Sequence, residues 1–159
     1  MVSYVKIKEG DKLKDYEIYD IEGNARKLSS LVQKYLVIYF YPKDDTPGCT
    51  IEAKEFSKHI DEFKKNNAEV IGVSFDDENS HKKFCEKYKL TVKLMTDKDK
   101  IMSNELGVVS QKSIFGKKIE LHNRTTLLLD KDLQVLKIWE NVKPENHAKE
   151  VLEYIKTKG

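Results

Sequence analysis

Tyr35-Leu-Val-Ile-Tyr-Phe-Tyr41, followed at once by Pro42-Lys-Asp-Asp-Thr-Pro-Gly-Cys-Thr50, is the most informative part of the chain. The first seven residues are apolar without alternation, the pattern of a central strand covered on both faces. Beyond them Ala53, Phe56, Ile60 and Phe63 recur at spacings of three, four and three among charged residues, which predicts an amphipathic helix of about four turns. Glu69 to Phe75 reads as the next strand, and His81, Phe84, Cys85 and Tyr88 mark one face of a second helix. Strand, helix and strand joined by short connections predict a parallel pair with a right-handed crossover.

Outward from this unit, residues 16–31 contain Tyr-Glu-Ile-Tyr, a turn at Gly23-Asn24 and Lys27-Leu-Ser29, which suggests a peripheral hairpin. In the second half Leu94 to Thr96 is a short strand, Lys98 to Leu106 a short helix, and Ile114 to Glu120 an exposed excursion pinned by Gly116. Arg124 to Asp130, a turn at Lys131-Asp132, and Leu133 to Trp139 form an antiparallel hairpin. Pro144 is placed to start a third helix, whose Ala148, Val151, Leu152 and Ile155 pack on the sheet. A βαβ unit followed by a ββα unit is the order of an α/β, thioredoxin-like three-layer sandwich: a central mixed sheet flanked by helices, with an N-terminal hairpin. No repeat, low-complexity tract or internal linker interrupts it, so residues 1–159 are read as one domain.

Composition narrows the function classes. A chain of 159 residues is long enough to bury roughly 70% of its unfolded surface in one core. Charged residues make up 35% of it, yet 29 basic against 27 acidic side chains leave a net charge of only +2. Net charge therefore steers neither nucleic acid nor an anionic membrane to it. The longest apolar run, Tyr35 to Tyr41, is far short of the roughly 20 residues of a membrane span, and the N-terminus lacks the apolar core of a secretory signal. A soluble, cytoplasmic protein is expected. Two cysteines do not make a disulfide framework, and only Arg26 and Arg124 are arginine among 29 cations.

In open α/β sheets chemistry gathers beyond the carboxyl ends of the strands, where helices present their N-termini. Here that place is the segment from Tyr41 to Thr50. Thr46-Pro47 reads as an N-cap followed by proline at N1, with Gly48 at N2 and Cys49 at N3. Thiolate is the nucleophilic form of cysteine, and helix N-termini and nearby cations favour it. Cys49 is accordingly the candidate nucleophile. A fast cysteine enzyme must also meet charge developing on a substrate oxygen, and the N–H groups of the first turn and the Thr46 hydroxyl are available donors. Arg124 opens a strand expected beside the central one, where it can pair with the thiolate and with Glu52. His59, His81, His122 and His147 show no metal spacing and no CxxC is present, so neither a metal, another cofactor nor thioredoxin-type disulfide exchange is expected.

Phe40-Tyr-Pro-Lys-Asp-Asp-Thr-Pro-Gly-Cys-Thr-Ile-Glu-Ala53 closely resembles the active-site segment of peroxiredoxins, in particular the bacterioferritin-comigratory-protein or PrxQ subfamily with its Pro-x-x-x-Thr-x-x-Cys signature. The likeness extends to Gly10-Asp11, Asp20 to Leu31, Lys112 to Lys117, Arg124 to Asp130 and Trp139 to Leu152. It implies that Cys49 is the peroxidatic cysteine, that Arg124 and Thr46 activate it, that Pro42 shields the sulfur and that Glu52 holds Arg124. Substrate would then lie against Thr46, Gly48, Cys49 and Arg124. The implied reaction is reduction of a hydroperoxide through a sulfenic acid, by a monomer re-reduced by thioredoxin or a similar dithiol.

One departure from the family pattern matters. Many members carry a resolving cysteine five residues after the first, where this chain has Lys54. Cys85 is the remaining thiol and matches members whose resolving residue lies on the following helix, although its apolar stripe with Phe84 and Tyr88 also suits a core position. A Cys49 to Cys85 disulfide would require local unwinding, since bridged Cα atoms lie within about 7 Å. The alternatives are a single-cysteine peroxidase resolved by an external thiol, and a noncatalytic redox-responsive binding module.

Overall fold

The computed structural model describes residues 5–158; part of the N-terminus on which the reading of a missing secretory signal rests lies outside them. The fully buried β3 (Tyr35–Phe40) is an interior strand of a seven-stranded sheet ordered β2-β1-β5-β4-β3-β8-β9. It pairs in parallel with β4 (Ala68–Ser74), which pairs in parallel with β5 (Lys93–Thr96). On its other side β3 is antiparallel to β8 (Thr125–Asp130), with Phe40 opposite Thr125, and β9 (Val135–Trp139) follows antiparallel with a bulge at Leu128/Leu129. β1 (Glu17–Tyr19) and β2 (Ala25–Lys27) form the N-terminal hairpin, with Gly23 at φ +84 in its turn, and β1 joins β5 at Tyr19 and Thr96.

Alternate residues of β3 feed two cores, because successive side chains of a strand point to opposite faces. Tyr35, Val37 and Tyr39, with Tyr41 just beyond, pack under α1 (Pro47–Lys58), α2 (Ile60–Lys65), α3 (Glu78–Tyr88) and α5 (His147–Thr157). Leu36, Ile38 and Phe40 face α4 (Ile101–Leu106) and the N-terminal segment. The result is the expected mixed sheet between helical layers. The sheet is tight at one point: a Cβ on Gly72 would lie 2.5 Å from the Tyr39 ring, so only glycine lets β4 pass the aromatic side chain of its neighbour.

Four elements depart from the sequence reading. The single four-turn helix is broken at His59 into α1 and α2, where Thr91 donates its hydroxyl to the Ser57 carbonyl (3.2 Å) and takes an acceptor that an unbroken helix would use itself. Lys100, at φ +59, delays α4 to Ile101. The excursion at Ile114 to Glu120 belongs to a separate hairpin of β6 (Val109–Ile114) and β7 (Lys117–His122), turned by Phe115 and Gly116 at φ +51 and +79. Pro144 does not begin the last helix, which starts at His147 after a left-handed Asn146.

Candidate active site

The carboxyl end of β3 delivers the chain into a short connection and then into α1, with Pro47 at its first position and Cys49 in its first turn. Thr46 is the N-cap residue, but its side chain does not cap the helix. Its hydroxyl donates instead to the Lys43 carbonyl (2.9 Å), while its own carbonyl accepts from Thr50 N–H (2.9 Å) and Thr50 Oγ1 (2.8 Å). This corrects the expectation of a side-chain cap: the hydroxyl turns back to the connection preceding the helix and is not presented to the N–H groups of its second and third residues. Thr46, Pro42 and Gly48 are half-buried around the helix start.

Arg124, just before β8, lies beside this helix because β8 pairs with β3. Its Nη2 donates to Cys49 Sγ at 3.3 Å and its Nη1 to Glu52 Oε1 at 3.1 Å. Glu52 is one helical turn beyond Cys49, so one planar guanidinium spans both. Gly48 makes room for it: a Cβ there would stand 2.6 Å from Nη2 and 3.4 Å from Pro144 Cγ. Pro144 thus rests over the start of α1, in a loop held by the bond from Val142 N–H to the Arg124 carbonyl (3.1 Å). Cys49 and Glu52 are each only 1% exposed, whereas the Arg124 side chain is 20% exposed.

The second oxygen of Glu52 and the Tyr39 hydroxyl are buried without a partner among the described residues. The Tyr39 ring stacks on Phe56 at 4.4 Å between centroids, and burial with the nearby acidic groups of Glu52 and both cysteines holds its phenol well above the usual range. Burial likewise pushes the Glu52 carboxyl up from 4.5 to about 7, with Arg124 opposing the rise without cancelling it. Because the folded state keeps a proton that the unfolded chain releases, this group's contribution to stability falls as pH rises from about 4.5 to 7 and is level above that. Unfolding free energies at pH 5 and 7.5 should therefore differ more for the wild type than for Glu52→Gln, by no more than about 1.4 kcal/mol per pH unit. Parallel pH profiles for the two proteins would show that the carboxyl ionises normally.

Cys85 is half-buried on α3 and unpaired with Cys49; both cysteines pack against the same core. Burial, Asp44 and Glu86 push its thiol up to about 11. The histidines are dispersed: His81 faces Asp44, His122 faces Ser103, His147 faces Thr126 and Glu150, and His59 lies 4.0 Å from Glu55. Sequence reasoning placed Cys49, Glu52 and Arg124 together but missed Tyr39 and Pro144, whose approach to the site depends on tertiary packing.

A cysteine in the first turn of a helix laid across a thioredoxin-like sheet, with an arginine brought to it from the neighbouring strand, is the arrangement of a thiol peroxidase. Comparison with known proteins makes the assignment definite. Residues 9–138 match the AhpC/TSA family. The chain is 39% identical to Peroxiredoxin Bcp of Bacillus subtilis over 150 residues, covering 94% of this chain and 96% of that one. It superposes on PrxQ of Xylella fastidiosa, solved as a cysteine-to-serine variant, with a TM-score of 0.87 at 33% identity over 96% and 97% of the two chains. The bacterioferritin comigratory protein of Xanthomonas campestris gives 0.83 at 36% identity over 91% of each chain. The chain belongs to the AhpC/TSA family, within its Bcp/PrxQ peroxiredoxins, and is a peroxidase that takes a peroxide and a thiol reductant. Among the described residues no helix is long and apolar enough to cross a membrane.

Proposed function

We propose that the chain, acting as a single monomeric domain over residues 1–159, reduces hydrogen peroxide and organic hydroperoxides with Cys49 as the peroxidatic residue. The observation that carries this reading is the 3.3 Å contact from Arg124 Nη2 to the Cys49 sulfur. The thiolate gives an electron pair to the terminal peroxide oxygen and the O–O bond breaks. The hydroperoxide's own proton ends on the departing oxygen, leaving Cys49 sulfenate and water or an alcohol. Arg124 and the Cys49 N–H hold the two oxygens in line and meet the charge that develops on them. The Thr46 oxygen, whose own proton goes to the Lys43 carbonyl, accepts from the hydroperoxide O–H and orients it, Gly48 admits the guanidinium, and Pro42 covers the sulfur. Glu52 orients Arg124. With Cys49 almost fully covered, substrate approaches across the half-buried rim of Thr46, Gly48 and Arg124. Organic substrates are supported by the alkyl peroxide reduction described for the Xanthomonas relative.

Resolution is assigned to Cys85, which forms a disulfide with Cys49 that thioredoxin or a similar dithiol reduces. A cytoplasmic location suits a protein whose two thiols are free. Stopped-flow peroxide consumption and mass spectrometry of wild type and Cys85→Ser test the cycle. Wild type should accumulate a Cys49–Cys85 bond, and the variant a Cys49 sulfenate that turns over with a small dithiol but not with thioredoxin. A wild type that shows a lasting sulfenate and no such bond is instead a single-cysteine peroxidase.

Gly48→Ala probes the placement of Arg124. Alanine suits a helix better than glycine, so the fold is retained, but its methyl carbon would stand 2.6 Å from Nη2, inside contact distance, and moves the guanidinium off the sulfur. A displacement of about 1 Å should lower kcat/KM for peroxide by roughly 10- to 100-fold. Unchanged kcat/KM would mean that the guanidinium's position is not limiting.

A further inference from the structure

The connection that leads into α1 is tied at two adjacent residues to the helix carrying Cys85. Asp44 is buried; its carboxylate accepts from Tyr41 Oη (2.6 Å) and Ser80 Oγ (2.8 Å) and faces His81 Nδ1 (2.7 Å), while its N–H donates to Asp76 (2.8 Å). Asp45, exposed and at φ +56, accepts from Lys87 Nζ (2.8 Å) and Tyr88 Oη (2.6 Å). Ser80 and His81 precede Cys85 by about one helical turn, and Lys87 and Tyr88 follow it by two and three residues. The two aspartates therefore grip α3 on either side of the second cysteine, only four and five residues before the first. Lys54 of α1 completes the junction from above, 4.9 Å from the centroid of the Tyr88 ring.

We propose that Asp44 and Asp45 are positioning residues for the resolving step: they lock the peroxidatic connection to α3, and their release lets Cys85 reach the oxidised Cys49. The proposal rests on the reading of Cys85 as the resolving cysteine. With both cysteines held in intact helices, a bond between them needs backbone movement, because bridged Cα atoms lie within about 7 Å. The lock also keeps the second thiol unreactive, since burial and Asp44 are the two largest causes of its raised pKa. When α3 leaves Asp44, the Cys85 thiol loses its proton and the thiolate attacks the sulfenic sulfur of Cys49. The S–O bond breaks, and hydroxide leaves as water with the released proton. No external oxidant is consumed, because the sulfenic acid already carries the two oxidising equivalents taken from the peroxide. While the lock is closed, the sulfenate instead faces a second peroxide, which carries it to sulfinic acid.

Asp44→Asn disturbs buried contacts and loses stability, so the exposed end of the lock carries the test. Wild type, Asp45→Ala and Tyr88→Phe are treated with graded peroxide, and the Cys49–Cys85 disulfide and Cys49 sulfinic acid are quantified by quenched-flow mass spectrometry, with melting curves confirming the fold. Removing hydrogen bonds to a charged group at a partly exposed site should raise the rate of disulfide formation by about 3- to 10-fold and lower the sulfinic fraction in proportion. A fold-retaining variant whose disulfide rate and sulfinic fraction stay within twofold of wild type overturns the lock, while the wild-type disulfide upholds Cys85 as the resolving residue. Absence of that disulfide from wild type overturns the resolving assignment itself, and the lock with it.

Discussion

Serine at position 49 will reduce peroxide turnover to background, a loss of at least about 10⁴-fold, the scale on which removal of a nucleophile is felt in other enzymes. The hydroxyl would occupy nearly the same volume, one atom from the same Arg124 donor, but it is not ionised near neutral pH and its oxygen cannot take up a second oxygen as sulfur does. The fold should persist. A cysteine-to-serine variant of the Xylella relative keeps this architecture, and a buried hydroxyl at position 49 has the guanidinium as a hydrogen-bond partner. Stopped-flow peroxide consumption with a dithiol present, beside an unfolding curve, separates the two effects. Turnover within tenfold of wild type in a folded Cys49→Ser protein would remove Cys49 from the reaction.

The parts of this molecule legible in its sequence are those whose cause is local. The unbroken apolar run of β3 and the three-four spacing along α1 announce burial through neighbours in the chain. Cys49 could be placed in a first helical turn because Thr46 and Pro47 mark where a helix starts. Arg124 stood out because lysine is the usual cation of this chain, and Glu52 entered as the carboxylate with which that arginine could pair. What escaped depends on partners distant in sequence. The break at His59 involves Thr91, 34 residues from the Ser57 carbonyl it engages. Pro144 looked like a helix start on local grounds, yet its ring lies against Gly48, a contact created only when α1 and the β9–α5 connection meet. The β6–β7 hairpin is legible only in part: on local grounds Gly116 pins an exposed excursion, whereas Phe115-Gly116, with both φ angles positive, is the two-residue turn between two paired strands.

Removing Arg124 is the second large perturbation, and its effect should divide unequally between activity and stability. Arg124→Ala deletes the donor 3.3 Å from the sulfur and the only guanidinium described at the site, so kcat/KM for peroxide should fall by about 10²- to 10³-fold, as when an oxyanion donor is lost. One cation here faces two groups able to carry negative charge, and the buried member of the pair, Glu52, already holds its proton up to about pH 7. Breaking a buried ion pair ordinarily costs about 3–5 kcal/mol because an uncompensated charge is left behind. Glu52 avoids most of that penalty by remaining protonated, so the variant should lose less than about 2 kcal/mol of stability at pH 6 and more at pH 8, where holding the proton is harder. Arg124→Lys keeps the charge but not the fork. A single ammonium cannot span Sγ and Oε1 together, so it should recover no more than about a tenth of the lost activity. Equal activity of the lysine variant and wild type would reduce Arg124 to a bare positive charge, and a stability loss independent of pH would break its link to the Glu52 proton.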